Sequence, residues 1–542
     1  MPSPADALAF RATGRRWAVA TPHAAATRSA ARAFAEGGTA VDAALAAATS
    51  LAVVYPHMCG VGGDLFALVR EPDGQVVAIN SSGAAPAAID PDAVRASHDR
   101  MPEHGPLAVT VPGAVAGWAM LHGEGADLPW RRLFDDPIAQ AREGVPIARS
   151  LAASIAWRGP RLADDPGLAA VFTDGGRGLT EGEALRQPAL AATLEAIAAT
   201  GADAIYGGDV GTRYAAGLRA AGSPIARQDL IEHEAELGGP LRGRFRDLDV
   251  LVVPPNSQGW ILPLILAGVE RLGLDPDPLG PDAAMLAALF LTASQDRDRH
   301  NADPRGGGVR IDALLDEGHV ADVAESARDA LDHATRQASP TASIPDRPGG
   351  DGDGDTIALV TADAHGRAVC LIQSLYDGFG AQILEPSTGI IAHNRGACFV
   401  LDPASRNVLA PRKRPAHTLM PAMLTRDGEL AFISGTKGGA AQPQINALNI
   451  LRSVALGLDP ADALAAPRWI VDDTGPDGDT PFIRAEGRVP PAVREALAST
   501  GLEVVVDAEV DEDTGHAHLI AAGDAGFTVA ADPRSDGAAE AG

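Results

Sequence analysis

The chain has 542 residues with 44 basic and 71 acidic side chains, which gives a formal net charge of −27 at pH 7. This balance argues against a nucleic-acid partner, because phosphate binding requires a basic surface. Hydrophobic residues make up 46% of the sequence, which is ample for a buried core and excludes wholesale disorder.

The length alone, at about 150 residues per domain, suggests three or four domains. The cysteines Cys59, Cys370 and Cys398 cannot form a disulfide framework, and their wide spacing matches no metal-binding pattern. We therefore expect no metal and no other cofactor. No apolar run approaches the roughly 20 residues that span a bilayer, and the N-terminus lacks the apolar block of a secretory signal. The prediction is a cytoplasmic protein that does not bind membranes.

Alanine-rich helical patterns dominate the first half of the chain. Thr39 as N-cap and Asp42 in the first turn predict a helix that continues through Ala43–Val54. A proline at the start and a glycine after the end predict a second helix over residues 188–200. The run Leu289–Arg299 indicates part of a third helix.

Strand patterns alternate with these helices, which favours an α+β protein built in layers. Runs of β-branched residues predict strands at Val250–Val253, Thr356–Thr361, Ala368–Ser374 and Leu430–Ser434. The C-terminal stretch Ala531–Gly542 is small and polar, and we expect it to be disordered.

A composition break precedes one of these strands. Residues 338–355 are rich in Pro, Gly and Asp, which predicts an exposed, mobile linker. The strands Thr356–Thr361 and Ala368–Ser374 follow it, separated by a turn, and predict a β-hairpin that begins next to a cleavable segment. The simpler interpretation is a domain linker followed by an ordinary edge strand.

A threonine at this position suggests a chemical role. If the chain is cut between Asp355 and Thr356, the new α-amino group, with a reference pKa near 7.7–8.0, can act as a base beside the threonine hydroxyl. Ser374, across the hairpin, can orient that nucleophile. The adjacent Gly438 and Gly439 can present backbone amides to an oxyanion, although a tight turn is the alternative for this pair.

Several segments in a fixed order carry a family resemblance: residues 37–44, 55–63, 111–117, 254–259, 296–299, 355–360, 373–380, 389–390, 394–396, 414–415 and 438–439. Together they resemble the γ-glutamyltransferase family over roughly residues 18–505. The resemblance implies an N-terminal-nucleophile hydrolase, which has an αββα sandwich of two stacked antiparallel sheets flanked by helices.

The resemblance also implies a proenzyme that cuts itself into two subunits. The large subunit would be residues 1–355 and the small subunit residues 356–542. Both subunits would remain in one folded unit, and two such heterodimers could form a dimer. The partner would be a small-molecule amide. The family's nucleophile, second hydroxyl and oxyanion glycines fall on Thr356, Ser374, Gly438 and Gly439.

The γ-glutamyl pocket of the family is not retained. No arginine precedes Ala85-Pro86, where the family holds a substrate carboxylate. Other pocket positions differ too: His417 and Thr418 replace paired serines, Tyr376 replaces an asparagine, and Arg395 and Cys398 replace a glutamine and an aspartate. Because Arg395 reverses the local charge, it should repel a substrate ammonium.

The segments 55–58, 354–356, 394–396 and 417–418 are closer to a subgroup that includes oxamate amidohydrolase, which implies hydrolysis of an amide of a small acidic acyl compound. The substrate-binding residues expected from this resemblance are Arg395, His417 and Lys437 for an anionic group, with Asn394, Thr418, Tyr376 and His57 as further candidates. Each of the first three has a simpler alternative. Arg395 can form a structural salt bridge, Lys437 can point to solvent, and His417 can be a core histidine.

Two other functions stay open at this point. One is a genuine γ-glutamyltransferase or glutathione hydrolase with a rebuilt pocket. The other is a non-catalytic relative that keeps the fold as a binding scaffold, and the intact nucleophile, second hydroxyl and glycine pair argue against it.

Overall fold

Two seven-stranded antiparallel sheets form the centre of the protein. They are seen in a computed structural model that describes residues 10–308, 310–337, 355–472 and 480–542. The first sheet has the strand order Arg11–Gly14, Gly526–Ala531, Ala517–Gly523, Glu429–Thr436, Ala422–Arg426, Leu248–Val252, Leu241–Phe245. The second has the order Ala538–Ala541, Trp17–Thr21, Asp355–Asp363, Ala368–Tyr376, Asp64–Arg70, Val76–Ser81, Glu236–Gly238.

Alternating side chains in the strands create three apolar layers. In the strand Asp355–Asp363, Ala358 and Val360 pack in a layer between the two sheets, whereas Ile357 and Leu359 pack against helices on the outer face. A third layer lies between the first sheet and its own helices. The order of layers is therefore helix, sheet, sheet, helix, as the family resemblance implies.

Helices cover both outer faces. Those that pack with the second sheet include Ala24–Ala35, Ala40–Val54, Ala114–Gly123, Asp135–Glu143, Arg149–Asp164, Pro166–Phe172, Pro188–Thr200 and Asp209–Ala220. Those that pack with the first sheet include Ile261–Leu272, Ala283–His300, Glu317–Gln337, Gln442–Ile450, Pro460–Ala465 and Pro491–Ala498. In the described ranges, no helix combines the length and apolar character that crossing a bilayer requires.

The predicted helices are confirmed, and one has the capping that its sequence suggests. The Thr39 hydroxyl accepts from the Asp42 amide, and the Asp42 carboxylate accepts from the Thr39 amide, so the two residues form a capping box. The second predicted helix is Pro188–Thr200, and it ends at Gly201 with φ +71°. The third is part of Ala283–His300.

The predicted strands are also confirmed, but two expectations about their surroundings are wrong. The strand Asp355–Asp363 is third of seven in its sheet, so it is not an edge strand. The C-terminal stretch is ordered, because Ala538–Ala541 pairs with Trp17–Thr21 and closes that end of the second sheet. Small side chains suit this position, since Ala538 and Ala539 are buried there. Of the predicted linker, residues 338–354 lie outside the described residues.

The strand register brings three polar side chains to one end of the second sheet. Thr356 is opposite Ser374, and Ser374 is opposite Asp64 on its other side. Thr356 has the same parity as Ala358 and Val360, so all three side chains face the space between the sheets. Both sheets contain strands from before Thr356 in the chain and strands from after it. The described chain therefore forms a single sandwich, and not the three or four domains that its length suggested.

Candidate active site

Hydrogen bonds connect the threonine hydroxyl to the peptide bond that precedes it. The Thr356 hydroxyl donates to Ser374 Oγ at 3.0 Å, and the Ser374 hydroxyl donates to the backbone carbonyl of Asp355 at 2.7 Å. The amide of Tyr376 donates to the same serine oxygen at 2.8 Å. Tyr376 has φ +81°, a left-handed conformation that is uncommon for a residue of this kind.

This arrangement can polarise one peptide bond, the one between Asp355 and Thr356. The Ser374 hydroxyl donates to the Asp355 carbonyl, and its oxygen accepts from the Thr356 hydroxyl. A register irregularity separates Asp355 from Thr356, so the hairpin pairing changes at the bond in question. Thr356 and Ser374 are both buried, which strengthens these electrostatic interactions.

The side chain of Asp355 is held by two buried cations. Its Oδ1 lies 3.2 Å from Lys437 Nζ, and its Oδ2 lies 3.8 Å from Arg158 Nη2. Burial alone would raise the pKa of Asp355, but Lys437 and Arg158 hold it below its usual value, so the group is a carboxylate. Burial likewise opposes the charge of Lys437, but Asp355, with Glu512 and Asp513, raises the lysine pKa above its usual value.

His417 is a neutral histidine anchored to Asp64. Its Nε2 lies 3.1 Å from Asp64 Oδ2, and its Nδ1 accepts from the Leu419 amide at 3.3 Å, so the ring proton is on Nε2. Burial first, and the nearby Arg395 second, lower the pKa of His417 to about 3. The imidazole therefore does not carry the positive charge that binding an anion would use.

The glycine pair follows the strand Glu429–Thr436 at the mouth of the site. Gly438 has φ +138° and Gly439 has φ +49°. A Cβ at Gly438 would lie 2.4 Å from Ile445 Cδ1. Within the described residues, neither amide N–H donates a hydrogen bond. Two free amides on a fixed turn are what an oxyanion site requires.

A cavity of about 340 Å³ opens beside the glycines. The predicted residues that line it are Tyr376, Arg395, His417, Thr418, Gly438 and Gly439, and its other charged residues are Arg297, Asp298, Asp472 and Asp513. Burial, against the opposing effect of Lys437 and Arg484, raises the pKa of Asp513 to about 7.

Arg395 brings a buried positive charge to this cavity. Its guanidinium stacks 4.2 Å from the centre of the Tyr376 ring and donates to Thr418 Oγ1, Cys398 Sγ and the Ala416 carbonyl. No carboxylate in the described part of the chain lies within ion-pair distance of it. The structural salt bridge that was one interpretation of Arg395 is therefore absent from the described residues.

The other predicted residues do not line the cavity. His57 Nε2 lies 3.1 Å from Ser150 Oγ, and burial lowers the pKa of His57 to about 3. Asn394 uses its amide to donate to the Glu103 carbonyl and its oxygen to accept from the Asp377 amide. Lys437 is not solvent-facing, as one alternative had it, but is paired with Asp355.

Three site residues were not identified from the sequence: Asp64, Arg158 and Asp513. Asp64 had a usable signal, because it is a carboxylate directly after the glycine run 60–63 in a strand that is buried throughout. Arg158 lies in the helix Arg149–Asp164 and reaches the site only through the tertiary packing of that helix. Asp513 lies in an acidic stretch that resembles an exposed turn. Within the described ranges, no group of three or more His, Cys, Asp or Glu could hold a metal ion.

Comparisons with known proteins point to one family. The family model described as gamma-glutamyltranspeptidase matches residues 26–542. The oxamate amidohydrolase proenzyme of Klebsiella pneumoniae subsp. pneumoniae is 36% identical, covering 96% of this chain and 97% of that protein. The glutathione hydrolase-like YwrD proenzyme of Bacillus subtilis is 34% identical, covering 97% and 98%. The crystal structure of cephalosporin acylase from Bacillus halodurans matches with a TM-score of 0.87 at 29% identity, covering 100% of this chain and 98% of that one.

Proposed function

The chain belongs to the gamma-glutamyltranspeptidase family, and from that premise we propose that it cleaves itself before Thr356 and then hydrolyses the amide of a small acidic acyl compound. As a family member it is a hydrolase or acyltransferase that acts on amide bonds. The names of its relatives describe proenzymes. The nucleophile, the substrate and the individual roles below are our proposal.

The observation that carries the proposal is the hydrogen-bond chain from Thr356 through Ser374 to the Asp355 carbonyl. It links a candidate nucleophilic hydroxyl to the one donor that polarises the carbonyl of the preceding residue. A non-catalytic binding scaffold would have no need of these two hydroxyls and this carbonyl, because a buried polar network adds no stability over an apolar core.

In the mature enzyme, the freed amino group of Thr356 would act as the base for its own hydroxyl. The hydroxyl attacks the carbonyl carbon of the substrate amide, and the proton passes through the amine to the leaving nitrogen. Gly438 and Gly439 would stabilise the oxyanion with their free amides, and water would hydrolyse the resulting ester. Loss of a single oxyanion donor typically costs about 3–4 kcal/mol of transition-state stabilisation.

The acidic substrate is proposed from one buried cation of the cavity. Arg395 is a buried cation without a carboxylate partner in the described residues, and no arginine precedes Ala85-Pro86. A 36% identical relative is named as an oxamate amidohydrolase proenzyme, which supports an acyl group that carries a carboxylate. His417, being neutral, would position Asp64 and the cavity wall and would not bind the anion directly.

A second candidate is hydrolysis of glutathione, since another relative is named glutathione hydrolase-like. The two functions separate on a substrate pair. Turnover of a γ-glutamyl anilide at rates comparable to those of short acidic amides would favour the second candidate. No turnover of the anilide, with turnover of the acidic amides, would exclude it.

Intact-mass spectrometry of the purified protein tests the proposal. We expect two fragments from the wild type, with the smaller one beginning at Thr356. Thr356→Ala should remain a single uncut and inactive chain, and Thr356→Ser, which keeps a hydroxyl, should still be cut, though more slowly. A wild-type chain that stays whole, or a cut at another bond, contradicts the proposal.

A further inference from the structure

The Asp355 carboxylate fills a charged recess beside the nucleophile in the uncut chain. Its side chain is 11% exposed, and those of its cationic partners Lys437 and Arg158 are 4% and 7% exposed. Gly378 leaves the room for it, because a Cβ there would lie 2.5 Å from Asp355 Oδ2. Charge and shape therefore both fit this recess to a carboxylate.

Cleavage would change the two cations differently. Arg158 keeps a second partner, because its Nη2 lies 2.7 Å from Asp377 Oδ1. Lys437 has no ion pair other than the one with Asp355 within the described residues. When Asp355 leaves with the large subunit, Lys437 loses its direct ion pair and keeps only the more distant influence of Glu512 and Asp513, which is a costly state for a buried cation unless another anion enters.

Self-cleavage and substrate turnover pass through an ester on the same oxygen. In the first, Thr356 Oγ bonds to the Asp355 carbonyl carbon and the bond from that carbon to the Thr356 nitrogen breaks. The nitrogen receives the proton that leaves the hydroxyl. Water then hydrolyses the ester, leaving a C-terminal carboxylate on Asp355 and a free hydroxyl and amine on Thr356. The first acyl group on the nucleophile is therefore an aspartyl group, whose side-chain carboxylate starts at Lys437.

We propose that Asp355 occupies the enzyme's own subsite for an acyl carboxylate, and that after cleavage Lys437 binds the carboxylate of the substrate in its place. This inference rests on the proposed function and specifies its substrate. In Asp355, two carbons separate the carboxylate from the reacting carbonyl. The subsite therefore selects amides of four-carbon dicarboxylic acids, of which succinamate is the simplest.

A binding experiment on uncut chains tests the subsite without needing activity. Thr356→Ala keeps Asp355 in the recess, whereas Asp355→Ala/Thr356→Ala empties it. By calorimetry, we expect succinate to bind the double variant and the cleaved wild type at least about 10-fold more tightly than Thr356→Ala, and butyramide, a neutral molecule of similar size without a carboxylate, to show no such difference. Equal succinate binding by the single and double uncut variants would overturn the proposal.

Turnover by the cleaved wild type tests the selected chain length. Across oxamate, malonamate, succinamate and glutaramate, with butyramide as the neutral control, kcat/KM should peak at succinamate and exceed that of butyramide by about 100-fold, the effect of a buried charge pair. In Lys437→Met the ratio of succinamate to butyramide should fall to near one. A peak at another length, or an unchanged ratio in a cleaved Lys437→Met, contradicts the proposal.

The two experiments separate this inference from the proposed function. A wild type that is never cut contradicts the proposed function, while succinate binding by the uncut variants still decides whether the recess is an anion subsite. If Lys437→Met itself is not cut, the binding comparison decides alone, with Asp355→Ala/Lys437→Met/Thr356→Ala expected to lose the succinate binding that the double variant gains.

Discussion

Two neighbouring parts of the site use their polar groups in opposite ways. The nucleophile corner consists of Asp355, Thr356, Ser374 and Lys437, and the cavity wall consists of Tyr376, Arg395, Gly438, Gly439 and Asp513. In the corner, every hydroxyl and charge has a partner within the chain. In the wall, the glycine amides have no acceptor and Arg395 has no carboxylate among the described residues. Under the proposed function, the corner serves the reaction of the chain with itself and the wall binds the substrate.

This difference predicts that changes in the corner alter self-cleavage, whatever they also do to turnover, whereas changes in the wall alter turnover by the cleaved enzyme and leave self-cleavage intact. The largest effect is expected at Ser374, because its hydroxyl polarises the bond that is cut. Ser374→Ala should slow cleavage by about 10²- to 10³-fold, comparable to loss of one oxyanion donor. The time course of fragment formation by intact mass measures it.

Ser374→Thr is the control for that variant, because it keeps a hydroxyl on a strand where β-branched residues fit well. It should retain cleavage within about 10-fold of the wild type. Wild-type cleavage rates in Ser374→Ala would show that the hydrogen bond to the Asp355 carbonyl has no part in the reaction.

The wall is tested at Gly438. A methyl group there would approach Ile445 Cδ1 at 2.4 Å on a backbone with φ +138°, so Gly438→Ala should displace the oxyanion amides and lower kcat by about 100-fold. Cleavage should continue, since the Asp355 carbonyl is polarised by Ser374 and not by the glycines. Steady-state kinetics of the cleaved protein, with mass spectrometry for the cut, measure the two effects.

Gly457→Ala is the matched control, because it also has a positive φ, +73°, but no atom within 4 Å of the added Cβ. It should lose about 1 kcal/mol of stability through backbone strain and keep its kcat. If Gly438→Ala stops cleavage as completely as it stops turnover, the separation of corner and wall is wrong.

The corner is tested thermodynamically through its ion pair. In the uncut Thr356→Ala background, Asp355→Asn and Lys437→Met should each destabilise the fold, and the double change should cost less than their sum by about 2 kcal/mol. The same cycle with Arg395→Met in place of Lys437→Met should give a smaller coupling, because no ion pair joins Asp355 to Arg395. Denaturant unfolding measures all of these free energies. Equal coupling energies in the two cycles would contradict the assignment of Lys437, and not Arg395, as the partner of Asp355.

The corner could be predicted from the sequence to a large extent, because its signals are local. The β-branched runs and the turn between them fix a hairpin, and that hairpin places Ser374 opposite Thr356 as observed. The charged partners depend on packing between distant segments. Lys437 was identified as a cation for the substrate, but nothing local shows that it first pairs with Asp355.

The wall was predicted less completely, for a physical reason. Arg395, Gly438 and Gly439 were found, but the neutrality of His417 depends on burial and on nearby Arg395, which outweigh the opposing effect of Asp64, 353 positions away in the chain. Disorder was also predicted for the C-terminal stretch from its composition, yet Ala538–Ala541 forms an edge strand. Strand pairing with a distant segment outweighs local propensity in such small residues.

The last prediction concerns the pH dependence that Asp513 gives to the wall. Its pKa is about 7 in the folded chain because burial disfavours the carboxylate, whereas an unfolded aspartate titrates near 3.9. Between these values the folded state binds more protons than the unfolded state, so this group lowers stability as pH rises from about 4 to 7, by no more than about 1.4 kcal/mol per pH unit. Asp513→Asn should remove that decline, and Asp524→Asn, on an exposed turn, should not. Denaturant unfolding at pH 5 and pH 8 measures the difference.

Because Asp513 faces the cavity and not the cut bond, both variants should still be cleaved. If Asp513→Asn were not cut, this residue would belong to the corner and not to the wall.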